Sequence, residues 1–229
     1  MGIRSFFAKP LAWWTHRQTK AWSQKPKETQ QRVFQELVSK AKNTAFGQDH
    51  DFLRIKNHAD FVAQVPIRDY EELKSYFERT VSGEGNVLWP GKPLYLAKTS
   101  GTTSGAKYIP ITRDSIPNHI NGAKNALLSY IHETGNASFV DGKLIFLSGS
   151  PVLDKKNGIH VGRLSGISNH FVPSYLRTNQ MPSYKTNCID DWETKVETVV
   201  DETLNQQMTL ISGIPSWVQM YFDKIKERT

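Results

Sequence analysis

The chain has 229 residues, and its 29 lysine and arginine residues exceed its 22 acidic ones, which gives a formal net charge of +7. This length is enough for one large domain or two small ones with a buried core. The 38% hydrophobic and 11% aromatic content indicates a folded chain and excludes a disordered one. No apolar run reaches the roughly 18–20 residues of a membrane span. The single cysteine, Cys188, excludes a disulfide framework and a multi-cysteine metal site, so we expect a cytoplasmic protein.

The basic excess lies at the N-terminus. Residues 1–27 contain six lysine or arginine residues and no acidic one, whereas the rest of the chain is nearly balanced. Ile3, Phe7, Leu11 and Trp14 recur near helical spacing, which predicts an amphipathic helix packed on the domain. An organellar transit peptide and a surface for anionic lipid or nucleic acid are the alternatives. Because no zinc-finger, RNP-like or basic-zipper motif follows, we predict no nucleic-acid partner.

The predicted elements alternate between helices and strands, a pattern that favours an α/β fold. In chain order they are helices over 29–45 and 70–77, strands over 94–98 and 108–112, a helix over 113–134, a strand over 143–147, a helix from Asp190 or Asp191 to about 208, a strand over 209–212 and a helix over 215–226. Residues 149–190 are rich in Gly, Pro, Ser and Asn and are predicted to be mostly irregular. We divide the chain into a basic helical segment over 1–28 and a main domain over 29–229.

Particular residues set the predicted ends and faces of these helices. Asp69 is placed to cap the helix over 70–77, and Pro215 is placed in the first turn of the last helix. The helix over 113–134 has a predicted inner face of Ala123, Ala126, Leu127, Tyr130 and Ile131.

The loop between the strands at 94–98 and 108–112 has the composition of an anion-binding site. From Thr99 to Lys107 it reads TSGTTSGAK, with five hydroxyl side chains, two glycines and one lysine. Glycines let backbone N–H groups approach an anion closely, hydroxyls donate to phosphate oxygens, and a lysine supplies a compact positive charge. The loop is suited to a polyphosphate, and an ordinary polar hairpin turn is the alternative.

This loop does not match the Walker A pattern. Ala106 stands before Lys107, where that pattern has glycine, and the next residues are strand-like rather than helical. A hairpin between two strands is therefore predicted in place of a strand–loop–helix unit.

The sequence TSGTTSGAKYIPIT resembles the phosphate-binding signature of adenylate-forming enzymes. Its surroundings resemble one branch of that group, the auxin-responsive Gretchen Hagen family of acyl-acid amido synthetases and its bacterial relatives. The resembling stretches are Thr44–Phe52 (TAFGQDHDF), Val65–Leu73 (VPIRDYEEL), Leu88–Thr112 (LWPGKPLYLAKTSGTTSGAKYIPIT) and Leu210–Phe222 (LISGIPSWVQMYF).

The resemblance implies part of the large N-terminal domain of an adenylate-forming enzyme, an α/β domain with a mixed sheet flanked by helices and incomplete at its C-terminus. It implies that ATP and Mg²⁺ activate a small carboxylic acid as an acyl-adenylate, and that an amine, commonly an amino acid, then displaces AMP to form an amide. The implied phosphate-binding residues are Thr99, Ser100, Gly101, Thr102, Thr103, Ser104, Gly105 and Lys107. The implied acyl-pocket residues are Asn118, His119 and Gly122.

The resemblance assigns no catalytic residue to this part of the family's length, so we expect the chain by itself to be inactive. A non-catalytic nucleotide- or partner-binding remnant of the same fold is the alternative. The seven histidines show no H-x-x-x-H or H-E-x-x-H spacing, so we predict no metal site. Residues 161–168, between His160 and His170, are predicted to form a surface loop, with part of a substrate wall as the alternative.

Overall fold

The computed structural model describes residues 2–99, 106–172 and 177–229. Its helices are α1 (Ile3–Ser23), α2 (Pro26–Ala41), α3 (Ala45–Asp49), α4 (His58–Gln64), α5 (Lys74–Val81), α6 (Ile116–Thr134), α7 (Leu164–Asn169), α8 (Tyr184–Asn187), α9 (Trp192–Thr203) and α10 (Pro215–Arg228), with short 3-10 helices at Phe52–Arg54 and Ser138–Asp141. Its strands are β1 (Tyr95–Thr99), β2 (Lys107–Ile111), β3 (Lys143–Phe146), β4 (Asp154–Lys156), β5 (Ile159–Gly162), β6 (Gln180–Met181) and β7 (Met208–Ser212). The predicted α/β fold with a mixed sheet is confirmed.

The chain divides into two compact units. The first unit contains residues 1–16, 119–153 and 163–229, and the second contains 17–118 and 154–162. The division falls within α1 and α6. In the described part of the chain, no helix has both the length and the apolarity that crossing a bilayer requires.

The second unit is built on a four-stranded mixed sheet in the order β2–β1–β5–β4. β1 pairs antiparallel with β2 and parallel with β5, and β5 pairs antiparallel with β4. Leu96, Ile159 and Val161 form the buried core of this sheet, and Val81 and Tyr108 pack against it. Both edges of β1 are therefore hydrogen-bonded, which fixes the position of the strand that leads into residue 100.

A tight hairpin joins β4 to β5. Asn157 and Gly158 have φ angles of 50° and 81°, the left-handed pair that a two-residue turn of type I′ requires. The side-chain amide of Asn157 also donates to the carbonyl of Val81 at 2.9 Å. The prediction that 149–190 is mostly irregular is wrong here, because the Asn-Gly turn signal determines the local structure and the Gly-, Pro- and Ser-rich composition does not. The surface loop predicted over 161–168 is also wrong, since it contains the end of β5 and α7.

The first unit contains a parallel three-stranded sheet in the order β6–β3–β7. Successive side chains of β3 point to opposite faces, and both faces are covered. Leu144 packs in a cluster with Ala12 of α1 and with Leu128 and Ile131 of α6. Ile145 packs in a second cluster whose other buried members are Leu147, Val196, Val199, Val200 and Tyr221. The short apolar run at 143–147 is therefore a central strand, as its sequence predicts.

Two of the predicted helix starts can be compared with the observed hydrogen bonds. The backbone N–H of Glu72 donates to Asp69 at 2.9 Å, and the N–H of Asp69 donates to Glu72 at 2.8 Å. This reciprocal pair closes a turn, and α5 begins only at Lys74, later than predicted. By contrast, Asp191 accepts from the N–H of Thr194 at 2.8 Å and caps α9 as expected.

The inward face of α6 differs from the predicted one. Leu128 and Ile131 are its buried residues, whereas Ala123, Ala126 and Tyr130 are exposed. The first two turns of α6 are mostly exposed, so the buried face begins further along the helix than apolar spacing alone suggested.

Candidate functional site

The candidate site is built on the β1–β2 hairpin of the second unit. Thr99 ends β1 and Lys107 begins β2, and the two residues are partners in the antiparallel register. Such a pair brings two Cα atoms to within roughly 4.5–5.5 Å of each other. The structure therefore confirms a hairpin between two strands at this position and places Thr99 and Lys107 at the two ends of the connecting loop.

Six of the predicted phosphate-binding residues lie outside the described residues. They are Ser100, Gly101, Thr102, Thr103, Ser104 and Gly105. The part of the site that the structure describes consists of the two strand ends and the side chains packed beside them.

Lys107 is held by an aromatic ring. Its Nζ lies 4.7 Å from the ring centroid of Tyr70, a cation–π contact. Tyr70 stacks on Phe77 of α5 with ring centroids 4.7 Å apart, and its hydroxyl accepts a long hydrogen bond from the N–H of Tyr108 at 3.4 Å. The sequence analysis did not select Tyr70, although it lies in one of the four resembling stretches.

A second lysine lies over the next residue of β2. Nζ of Lys156, on β4, is 4.4 Å from the ring centroid of Tyr108. Cation–π contacts position a lysine without neutralising its charge, unlike an ion pair with a carboxylate. Because Lys107 and Tyr108 are successive residues of β2, the two lysines lie on opposite faces of the sheet. Lys107 is the one at the end of the connecting loop, and its positive charge there suits an anionic ligand.

The three predicted acyl-pocket residues lie in the first two turns of α6. Asn118, His119 and Gly122 are all exposed. A Cβ atom built on Gly122 would meet no atom within 4 Å, so there is open space beside this position. Asn118 belongs to the second unit, and His119 and Gly122 belong to the first.

Comparison with known proteins identifies the family. A sequence model of the GH3 family N-terminal domain matches residues 15–217, which is most of the chain and includes the whole hairpin. The chain belongs to the GH3 family. This confirms the family that the four stretches indicate.

The GH3 chain resembles part of longer proteins. It is 28% identical over 160 residues to indole-3-acetic acid-amido synthetase GH3.15 of Arabidopsis thaliana, which covers 68% of this chain and 25% of that protein. Two solved structures, GH3.15 acyl acid amido synthetase and its complex with 2,4-DB, match with TM-scores of 0.71 at 18% and 19% identity, and each alignment covers 88% of this chain and 36% of that one. These structures show a shared fold, and the chain spans about a third or less of the length of these relatives.

The first unit of this GH3 chain contains a buried lysine at the carboxyl end of β3. Lys195 of α9 is only 3% exposed, and its ammonium donates to the carbonyls of Asn187 at 2.7 Å and Ser148 at 3.0 Å. Burial lowers the pKa of Lys195 to about 8. A lysine at an inward-facing helical position, between Trp192 and Val199, is the signal that sequence analysis missed.

A cluster of possible metal ligands also forms in the first unit. The ring of His16 stacks on that of His132 with centroids 3.8 Å apart and an interplanar angle of 18°, and Nδ1 of His16 is 3.6 Å from a carboxylate oxygen of Glu133. The three residues offer ligand atoms within 4.8 Å of one another, which a search of sequence spacing could not find because His16 and His132 are far apart in the chain. Parallel rings do not direct their nitrogens to a common point, so one ring would have to turn before the cluster could hold an ion.

We expect Lys195 to make the stability of the protein depend on pH. Between about pH 8 and 10.5 the unfolded chain keeps the proton on this lysine and the folded chain loses it, so the free energy of unfolding rises with pH in that window. Lys195→Met removes the titrating group and should flatten the rise. The measurement is urea denaturation at a series of pH values.

The control is Lys185→Met, which makes the same change at an exposed lysine ten residues earlier. In this variant the free energy of unfolding should rise with pH as it does in the natural chain. An equal slope in the Lys195→Met and Lys185→Met variants would contradict the assignment of a depressed pKa to Lys195.

Proposed function

We propose that this chain is the N-terminal portion of an ATP-dependent acyl acid amido synthetase. The observation that supports this most is the β1–β2 hairpin, with Thr99 and Lys107 paired at its ends in a chain of the GH3 family. The names of the relatives support a synthetase that converts a carboxylic acid into an amide.

The proposed reaction has two steps. An oxygen of the carboxylate attacks the α-phosphorus of ATP, and the bond to the β-phosphate breaks to release pyrophosphate and leave an acyl-adenylate. The nitrogen of an amine then attacks the acyl carbon, loses a proton, and displaces AMP to form the amide. Negative charge builds up on phosphate oxygens in the first step, so the protein contributes mainly by positioning and electrostatic stabilisation.

The donor set of the hairpin fits a polyphosphate. We assign phosphate contacts to the hydroxyls of Thr99, Ser100, Thr102, Thr103 and Ser104, close backbone approach to Gly101 and Gly105, and charge stabilisation to Lys107. The contact with Tyr70 supports this role, because it holds Nζ of Lys107 in place while leaving its charge uncompensated. Mg²⁺ prefers oxygen ligands and commonly binds through substrate phosphates, so it would reach this site with ATP and reduce the repulsion among the phosphates.

We assign the acyl pocket to the start of α6, with Asn118, His119 and Gly122 as its lining. The three positions are exposed and the space beside Gly122 is open, so a ligand can reach them.

Lys107→Ala is expected to lower ATP–pyrophosphate exchange by the intact protein about a hundredfold, since it removes a cation directed at developing phosphate charge. The intact protein here means this chain together with any further sequence that its gene encodes. Exchange is measured with labelled pyrophosphate and a panel of carboxylic acids.

The matched control is Lys155→Ala, an exposed lysine on β4, the far edge strand of the same sheet. It should exchange at the natural rate. Normal exchange in Lys107→Ala would refute the phosphate assignment, and ATP binding with no exchange for any acid would instead support a non-catalytic nucleotide-binding module.

Gly122→Leu is expected to raise the KM for the acid about tenfold or more while leaving the urea midpoint unchanged or higher. The added side chain would fill the proposed acyl pocket, and a helical glycine contributes no stability that leucine would remove. Ala126→Leu, one turn further along α6 at another exposed position, should leave the KM for the acid unchanged. If both variants bind the acid normally, the acyl pocket lies elsewhere.

A further inference from the structure

The side chains of α1 are distributed in an unusual way. The residues that it buries in the first unit are small: Ser5, Ala12 and Thr15. Its large apolar residues instead point away from the unit, with exposed fractions between 42% and 79%. They are Ile3, Phe6, Phe7, Leu11, Trp13 and Trp14, and together we call them the α1 face. A surface helix of a globular protein normally buries such a face and exposes its polar side.

This orientation of α1 is anchored by specific contacts. The N–H groups of Gly2 and Ser5 donate to the carboxylate of Asp141 at 2.9 and 3.1 Å, at the end of the helix where a negative charge is favourable. Hydrogen bonds from Ser5 lower the pKa of Asp141, so the carboxylate stays charged. Ala12 packs into the core beside Leu128. The small side therefore faces the protein because it is bonded and packed there.

The size of the α1 face indicates that it binds something. Isolated exposed apolar residues are ordinary, but a contiguous group of six, four of them aromatic side chains with exposures above 50%, marks an interaction surface. The side chains project from a convex helix, so they suit insertion into a soft apolar medium better than capture of a small ligand.

The charge around the α1 face identifies that medium. Residues 1–27 hold six lysine or arginine residues and no acid. On α1, Lys9 is four residues before Trp13 and therefore borders the face. Tryptophan is enriched at the boundary between lipid headgroups and acyl chains, and lysine is attracted to anionic headgroups. A single-stranded nucleic acid would stack bases on the aromatic rings but would leave the aliphatic Ile3 and Leu11 in water, whereas a bilayer takes up the whole face.

We propose that the α1 face binds the interface of an anionic lipid bilayer. The helix lies in the plane of the membrane, with its aromatic side chains roughly 5–10 Å below the headgroups and its basic residues among the phosphates. This is attachment to one leaflet of the bilayer, and it is independent of whether the ligase assignment is correct.

The test is co-sedimentation of the intact protein with vesicles of phosphatidylcholine containing one third phosphatidylglycerol, compared with vesicles of phosphatidylcholine alone. Binding should favour the anionic vesicles and weaken with salt. Phe7→Gln with Trp14→Gln should weaken binding about tenfold or more, because two large apolar side chains no longer leave water. Both positions are exposed, so the urea midpoint should not change.

The matched control is Leu53→Gln with Ile67→Gln, which makes the same kind of change at two other highly exposed apolar residues. This variant should bind vesicles normally. The proposal is overturned if the intact protein does not bind anionic vesicles, or if only the 229-residue chain binds, which would mean that the rest of the protein covers the face. It is also overturned if the control loses as much binding, or if the protein binds RNA and not vesicles.

Discussion

The pairing of β1 on both of its edges is the constraint on which the candidate site depends. Antiparallel bonds to β2 and parallel bonds to β5 hold the strand, and the fully buried Leu96 fixes it against the core. The register with β2 then places Thr99 opposite Lys107. A loop whose two ends are fixed in this way loses less conformational entropy when it closes on a ligand, which favours an anion site built from backbone N–H groups and short hydroxyls.

The lysines beside this hairpin contact aromatic rings and not carboxylates in the described part of the chain. Tyr70 and Tyr108 hold Lys107 and Lys156 through cation–π contacts, each worth about 0.5–1 kcal/mol at exposed sites. That is enough to restrict a lysine side chain and too little to compete with a polyphosphate for it. The arrangement leaves the charge of Lys107 available for the phosphate ligand that we propose.

Local sequence signals predicted the hairpin and most of the helices. They failed where the structure depends on contacts between residues that are far apart in the chain. The hairpin at 99–107 followed from two strands and a Gly-rich connection, and the Asn157–Gly158 turn carried an equally strong signal that the surrounding composition obscured. The stacking of His16 on His132 depends on a tertiary contact that no spacing rule contains. Helical spacing correctly indicated α1 but not which side of it faces the protein. The side with the small residues is buried because the N–H groups of Gly2 and Ser5 bond to Asp141 and because Ala12 packs into the core.

The most direct test of the phosphate assignment is labelling with an acyl-phosphate derivative of ATP, which transfers its acyl group to a lysine amine near the bound phosphates. The intact protein is treated with this probe, digested, and mapped by mass spectrometry with and without competing ATP. We expect Lys107 to carry the label and ATP to prevent it. Labelling that omits Lys107, or that reaches Lys155 equally and is insensitive to ATP, would contradict a polyphosphate site at the β1–β2 hairpin.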